Sequence, residues 1–247
     1  MSEESLPKLE RNARQNRILP QAQLDRTRCI VIGCGAVGYN LTKMLAAMGV
    51  GQLLLIDFDE VAIENMSSQG WKEKQLGKFK VQAAAEECNE INSKYGLVGP
   101  TGRGQNIEVV PERFGRRTPK EVGIGENPQV LECVFSCVDS IAVRKLIYES
   151  IKEVPVALIV DGRMSLSCCQ VISSASKSER EYYEKTFFDE SEAYRPTGQC
   201  TVQSTLHVAS LCAALMVESY SKSIQGHPQT RHFGLDLLCM DAQYDLF

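Results

Sequence analysis

An α/β fold with a mostly parallel, twisted sheet and helices on both faces is predicted by three observations. The segment RCIVIGCGAVGYN at 28–40 reads as a buried strand, a glycine-rich turn and a helix. About twenty residues later, LLLIDFDEV reads as a second strand ending in Asp57. Farther on, continuous apolar runs such as ECVFSCVD alternate with amphipathic runs such as AVRKLIYESIK, the pattern of buried parallel strands and their crossover helices.

Residues 1–27 are polar, rich in Arg, Asn and Gln, and read as an N-terminal arm; residues 28–247 read as one domain. Within that domain, a strand to Cys34 precedes a helix over Ala36 to Met48 and a strand over Gln52 to Asp57. A helix is predicted from about Lys78 to Asn92, with a third strand in IEVVPERF after the glycine-rich stretch GLVGPTGRGQ. ECVFSCVD and VALIVDG supply the next two strands, with AVRKLIYESIK as the helix between them. CCQVISSA follows so closely that no crossover helix fits, which predicts an antiparallel extension of the sheet. Residues 176–199 are charged and aromatic with no core period and read as a crossing loop extending to about residue 200. A long apolar helix is expected from Val202 to Ile224, stopped by Gly226 and Pro228.

The glycines give the first unit a Rossmann-like, nucleotide-binding character. Gly33 permits a tight turn, Gly35 lets the backbone approach a phosphate, and Gly38 lets the helix pack close to the strand. The helix N-terminus supplies N–H donors and partial positive charge, while Asp57 is placed to accept from a ribose hydroxyl. The same glycines in a ligand-free tight turn are the plain alternative.

A formal charge of −4 and a pI near 5.6 argue against a nucleic-acid surface. No apolar run is long enough to span a bilayer, and MSEESLPKLE has no apolar signal core, so a cytoplasmic protein is expected. The ten cysteines then read mainly as small buried hydrophobes, with Cys168 and Cys169 facing opposite sides of one strand. No C-x-x-C pair occurs, and His207, His227 and His232 have no ligand spacing, so zinc is not expected.

Four further features point to chemistry: D-x-D-x-V followed by Asn65 and Gln69; GKFK, with Lys78 and Lys80; Asp139 in CVDSIAVR; and Arg14 in the arm. In combination these resemble the ThiF/MoeB family, which contains the ubiquitin-activating enzymes, over the span from Arg14 to about Pro228. The resemblance implies a ThiF-type adenylyltransferase that uses ATP and magnesium on a carboxylate. Its substrate would be the C-terminal glycine of a ubiquitin-like or sulfur-carrier protein, and it would act as a homodimer. It also implies that Gly33, Gly35 and Gly38 approach ATP, that Asp57 holds the ribose, and that Asn65, Gln69 and Lys80 serve the nucleotide. Asp139 would hold the metal, and Arg14 would reach into a partner subunit's site. Such charges suit attack on an α-phosphorus, which builds negative charge on phosphoryl oxygens and departing pyrophosphate. Each also has an ordinary reading: Lys80 as a solvated helix residue, Asp139 as a helix cap, Arg14 as a surface charge.

One departure stands out. Ser68 occupies the place where the family pattern N-x-x-R-Q carries an arginine, so either Arg14, Lys72, Lys74 or Arg163 compensates or activity is weak. Cys200 lies between the crossing segment and the long helix, and its Cys-Thr pair resembles the thioester cysteine of autophagy-type activating enzymes. A helix N-terminus stabilises a thiolate, which suits a nucleophile; a cysteine packed under the loop is the alternative. Asp161 and Arg163, at a strand end, read either as acceptor-tail contacts or as a structural pair. The rival functions are a catalytically weak scaffold for a ubiquitin-like protein and an adenylating dehydratase of a small or tRNA-borne carboxylate. A nicotinamide-dependent dehydrogenase is disfavoured because no acid–base histidine is apparent.

Overall fold

The computed structural model describes residues 12–92, 106–187 and 205–246. After a one-turn helix α1 (Gln21–Leu24), strand β1 (Thr27–Ile32) enters the core with all of its residues buried. Helix α2 (Ala36–Met48) returns over one face, and β2 (Gln52–Ile56) pairs parallel to β1. A short α3 (Asn65–Gln69), a 3-10 turn (Glu73–Gln75) and α4 (Lys80–Asn92) precede β3 (Asn106–Val110). Then come α5 (Thr118–Glu121), β4 (Leu131–Ser136), α6 (Ile141–Ile151) and β5 (Leu158–Ser165).

The sheet has eight strands in the order β3-β2-β1-β4-β5-β6-β7-β8, parallel as far as β5. Strand β6 (Cys168–Ser174) pairs antiparallel with β5, as the absence of room for a crossover requires. The last two strands, β7 (Thr230–Asp236) and β8 (Asp241–Leu246), continue that extension as a hairpin. Side chains alternate between the two faces of the strands, and each face has its own core. Cys29, Val31, Leu53 and Leu55 face α2, α4 and the long helix α8 (Leu206–Gln225). Ile30, Ile32, Leu54 and Ile56 face the opposite layer, with Ile147 of α6 and Tyr183 of α7 (Lys177–Lys185).

Three expectations need correction. The end of the arm belongs to the core, since Leu19 and Leu24 are buried in the cluster that holds α2 and α8. Residues 177–185, taken as part of a crossing loop, form α7 with a capping box in which Ser176 Oγ accepts from Glu179 N and Glu179 accepts from Ser176 N. Its apolar face is only Tyr182, Tyr183 and neighbours, too narrow to register as a period. The β7–β8 hairpin is a third departure: β7 is half-buried along its length, β8 is mostly exposed, and the two flank a turn without glycine or asparagine, so neither strand carries an alternating apolar pattern. The expected start of α8 at Val202 lies outside the described residues; the helix runs to Gln225 and ends on Gly226 in the left-handed conformation.

Candidate functional site

Parallel pairing brings the carboxyl ends of β1, β2 and β4 to one edge of the sheet, and most of the candidate residues gather there. Gly33 has φ of 90°, and a β-carbon on it would lie 2.8 Å from the Cys137 carbonyl oxygen. A β-carbon on Gly38 would collide with the Gly33 carbonyl, so this glycine sets how closely α2 approaches the turn. Gly35 differs: nothing lies within 4 Å of where its β-carbon would be, leaving an open face at the start of α2. Phosphate oxygens fit such a face, beside helix N–H groups that need acceptors.

Asp57 follows β2 and is 9% exposed. Its Oδ2 accepts from Cys34 N at 2.6 Å and its Oδ1 from Asp59 N at 2.8 Å. Burial pushes its carboxyl above the usual value, and the N–H groups of Asp59 and Cys34, with Lys80, oppose that rise. The carboxylate therefore ties the glycine turn to the D-x-D loop at the sheet edge. Beside it, Phe58 is exposed and carries the Arg113 guanidinium 3.9 Å above its ring. Sequence reasoning had no local signal for this pair, which meets because β2 and β3 are neighbours.

Lys80 opens α4, but it is not a solvated residue. Its side chain is 7% exposed and its Nζ lies 3.0 Å from Asp59 Oδ2. The first turn of α4 thus places a buried cation against Asp59, close enough to Asp57 to lower its carboxyl. Asp139 is exposed in the loop after β4, and the helix cap there is Ser140, whose Oγ accepts from Val143 N at 3.4 Å. The capping role is thereby taken by the neighbour. Magnesium typically keeps several waters and takes one or two carboxylates, so the single exposed Asp139 carboxylate fits that ion. No cluster of three or more metal-binding side chains occurs among the described residues.

The remaining candidates are dispersed. Asn65 Oδ1 accepts from Ala62 N at 3.0 Å, which fixes the start of α3. Gln69 Oε1 accepts from the buried Trp71 Nε1 at 2.8 Å, and Trp71 stacks on Tyr39 with ring centroids 3.8 Å apart. Ser68 is a short neutral side chain bonded back to the Glu64 carbonyl. Lys72 and Lys74 are committed to Glu87 and Glu90 of α4. Arg163 is bound to Asp161. Arg14 is exposed and far from its own glycine turn: Gln15 Nε2 donates to Met48 O and Gln21 Nε2 to Gly49 O, at the distant end of α2. The thirteen residues of α2 span about 20 Å.

Cys200 lies outside the described residues. The elements on either side of its segment both reach the site edge: Thr186 binds Arg163 at the end of β5, and Leu206 packs against Gly70 beside α3. Among the described thiols, burial raises those of Cys34, Cys88, Cys133 and Cys137, in keeping with small core residues.

Comparison with known proteins accords with this arrangement, for the ThiF family profile matches residues 9–244. The chain belongs to the ThiF family. It is 34% identical over 126 residues to ubiquitin-like modifier-activating enzyme 5 of Dictyostelium discoideum, covering 50% of this chain and 32% of that protein. It is 40% identical over 79 residues to adenylyltransferase and sulfurtransferase MOCS3-1 of Zea mays, covering 32% of this chain and 17% of that protein. The matches thus span about a third or less of these relatives. Among solved structures, PaaA superposes with a TM-score of 0.73 at 18% identity, over 100% of this chain and 85% of that one. Escherichia coli MccB with ATP gives a TM-score of 0.68 at 16% identity, over 96% and 71%. At such identities these structures bear on the fold alone. No described helix is long and apolar enough to cross a membrane.

Proposed function

We propose that this ThiF-family protein adenylates the C-terminal glycine carboxylate of a ubiquitin-like or sulfur-carrier protein, using ATP and magnesium. The observation that carries the reading is the convergence of the open Gly35 face, buried Asp57, buried Lys80 and exposed Asp139 on one sheet edge. The helix N–H groups at Gly35 receive phosphate oxygens, and Asp57 takes the ribose hydroxyls. Lys80 stabilises charge that grows on the α-phosphoryl group as the carboxylate attacks and pyrophosphate leaves. Asp139 would hold magnesium, which would supply positive charge for the departing pyrophosphate.

Arg14 serves the site of a second copy, since its own site is about 20 Å away along α2. A homodimer would therefore carry two composite sites. Cys200 then attacks the acyl carbon of the adenylate: the C–S bond forms, the C–O bond to AMP breaks, and the thiol proton passes to solvent. The residues flanking its segment, Thr186 and Leu206, lie at the site edge, which supports this step.

A scaffold function is the second reading. Ser68 in place of the family arginine favours it, and Lys72 and Lys74 are already paired with glutamates. Pyrophosphate exchange into ATP, measured with glycine-tailed acceptors, separates the two: exchange that depends on the terminal glycine supports activation, and ATP binding without exchange supports the scaffold.

A further inference from the structure

At one end of the antiparallel extension, the β5–β6 turn and the β7–β8 turn lie side by side, and Leu237 N donates to Ser167 O at 3.0 Å between them. Cys168, the first residue of β6, stands directly opposite Asp236, the last residue of β7. Beyond Asp236 the chain curls back on that carboxylate, which accepts from Leu238 N at 2.8 Å and from the Cys239 N–H. The curl brings a second thiol to the same place, so Asp236 accepts from the side chains of both Cys168 and Cys239. Thiols from two separate turns therefore meet at one carboxylate.

Packing does not explain this pair. A free cysteine behaves as a small hydrophobe and is usually buried, as Cys29, Cys88 and Cys133 are. Cys239 is exposed and Cys168 partly so. The turn that carries Cys239 is open to solvent, with Leu238 85% and Met240 77% exposed. Metal binding does not explain the pair either, because these side chains do not converge as a cluster of metal ligands. The neighbouring cysteine supplies an internal comparison. Cys169 faces the other side of β6, where its thiol bonds to that of Cys212 in α8, and both are buried. Adjacent residues thus hold two thiol pairs, one dry and one within reach of solvent.

We propose that Cys168 and Cys239 form a redox-active dithiol that a hydroperoxide converts to a disulfide. The proposal does not depend on the adenylation reading. Cys239, the more exposed thiol, reacts first: its sulfur attacks the peroxide, an S–O bond forms, and the O–O bond breaks with release of hydroxide. Cys168 then attacks the resulting sulfenic sulfur; the S–S bond forms and the S–O bond breaks, releasing a second hydroxide. The two thiol protons convert both hydroxides to water, so one peroxide is reduced as two thiols are oxidised. Asp236 helps to set this order. Partial burial first, and then the Asp236 carboxylate, push the Cys168 thiol up, which keeps it protonated and leaves the first step to Cys239.

The test treats the full-length reduced protein with equimolar hydrogen peroxide, unfolds it, alkylates the remaining thiols and maps the peptides by mass spectrometry. A peptide linked through Cys168 and Cys239 should be the main product, reversed by dithiothreitol, while Cys169 and Cys212 stay open to alkylation. Cys168→Ser should leave Cys239 as a sulfenic acid that dimedone traps, and Cys239→Ser should slow oxidation of Cys168 at least about tenfold. Asp236→Asn keeps the acceptor for the turn but removes its charge, so iodoacetamide should label Cys168 at least about threefold faster. Wild-type melting temperatures in the two serine variants guard against misfolding. A disulfide between Cys239 residues of two chains, a link from either cysteine to another thiol, or equal oxidation of Cys169 and Cys212 overturns the proposal. So does full alkylation of Cys168 and Cys239 after peroxide has already converted exposed methionines to sulfoxide. Unchanged labelling of Cys168 in Asp236→Asn overturns the assigned order of attack.

Discussion

Gly38 lies so close beneath Gly33 that any β-carbon on it would strike the Gly33 carbonyl oxygen, whereas a β-carbon on Gly35 would meet nothing within 4 Å. The two glycines therefore answer differently to the same substitution. Gly38→Ala should cost about 1–3 kcal/mol by forcing α2 off the turn. Gly35→Ala should leave stability within about 0.5 kcal/mol and weaken ATP binding at least about tenfold. Thermal melts and nucleotide titration of both variants check this; unchanged ATP affinity in Gly35→Ala would mean that no phosphate approaches that face.

In the proposed reaction, Lys80 and Asp139 would support the same step from different surroundings. Lys80 is buried against Asp59, so Lys80→Ala should abolish exchange and also cost about 1–2 kcal/mol. Asp139 is exposed, and Asp139→Asn should abolish magnesium-dependent exchange with the melting temperature unchanged.

Asp57 should show a conflict between binding and stability. Burial raises its carboxyl above 3.8 in the folded protein, so the folded state keeps the proton to higher pH than the unfolded chain does. Its contribution to stability accordingly falls as pH rises from about 3.8 through the folded value. Asp57→Asn removes that fall: relative to wild type, the variant should gain melting temperature on going from about pH 4 to pH 7. It should also lose ATP affinity. A difference in melting temperature that does not vary with pH would contradict the burial argument.

His232 should make α7 sensitive to acid. Its Nδ1 pairs with Tyr182 Oη at 2.8 Å, and the Arg231 guanidinium lies over the Tyr182 ring. Burial first, then Arg163 and Arg231, lower its pKa below 6.5, against an opposing pull from Asp245. A lowered histidine gives stability that is present above 6.5 and lost as pH falls through the folded value. Wild-type melting temperature should therefore drop between about pH 7.5 and pH 5 more than that of His232→Gln. Equal drops would remove His232 from the account.

Arg14 should act between subunits. Equal mixing of Arg14→Ala and Asp139→Asn chains gives half heterodimers, each with one intact composite site, so about a quarter of wild-type exchange should return. No recovery from confirmed heterodimers would assign Arg14 to its own chain or to no catalytic role.

The parallel half of the fold was legible because its strands are continuous apolar runs and its helices have a clear period. The glycine turn was legible for a related reason: Gly33 and Gly38 answer to local sterics, and local spacing records them. What lay hidden depends on distant partners. Nothing near Arg113 announces Phe58, and nothing near Arg144 announces Asp161, since only the sheet order joins them. Lys80 lies two residues after the expected helix start at about Lys78, and its burial is not legible in the sequence because it comes from the loop that brings Asp59 over it. Helix α7 escaped notice because two tyrosines and a capping box are a weak signal within a charged segment.

The most direct measurement is the mass of the acceptor protein after mixing with ATP, magnesium and this protein. The wild type should yield an acceptor heavier by one AMP, or AMP release accompanied by a thioester-linked enzyme. Neither product should form with Asp139→Asn or with an acceptor lacking its terminal glycine. Saturable ATP binding with no adenylated acceptor, no pyrophosphate and no thioester, across ubiquitin-like and sulfur-carrier proteins, would contradict adenylation and leave a nucleotide-binding scaffold.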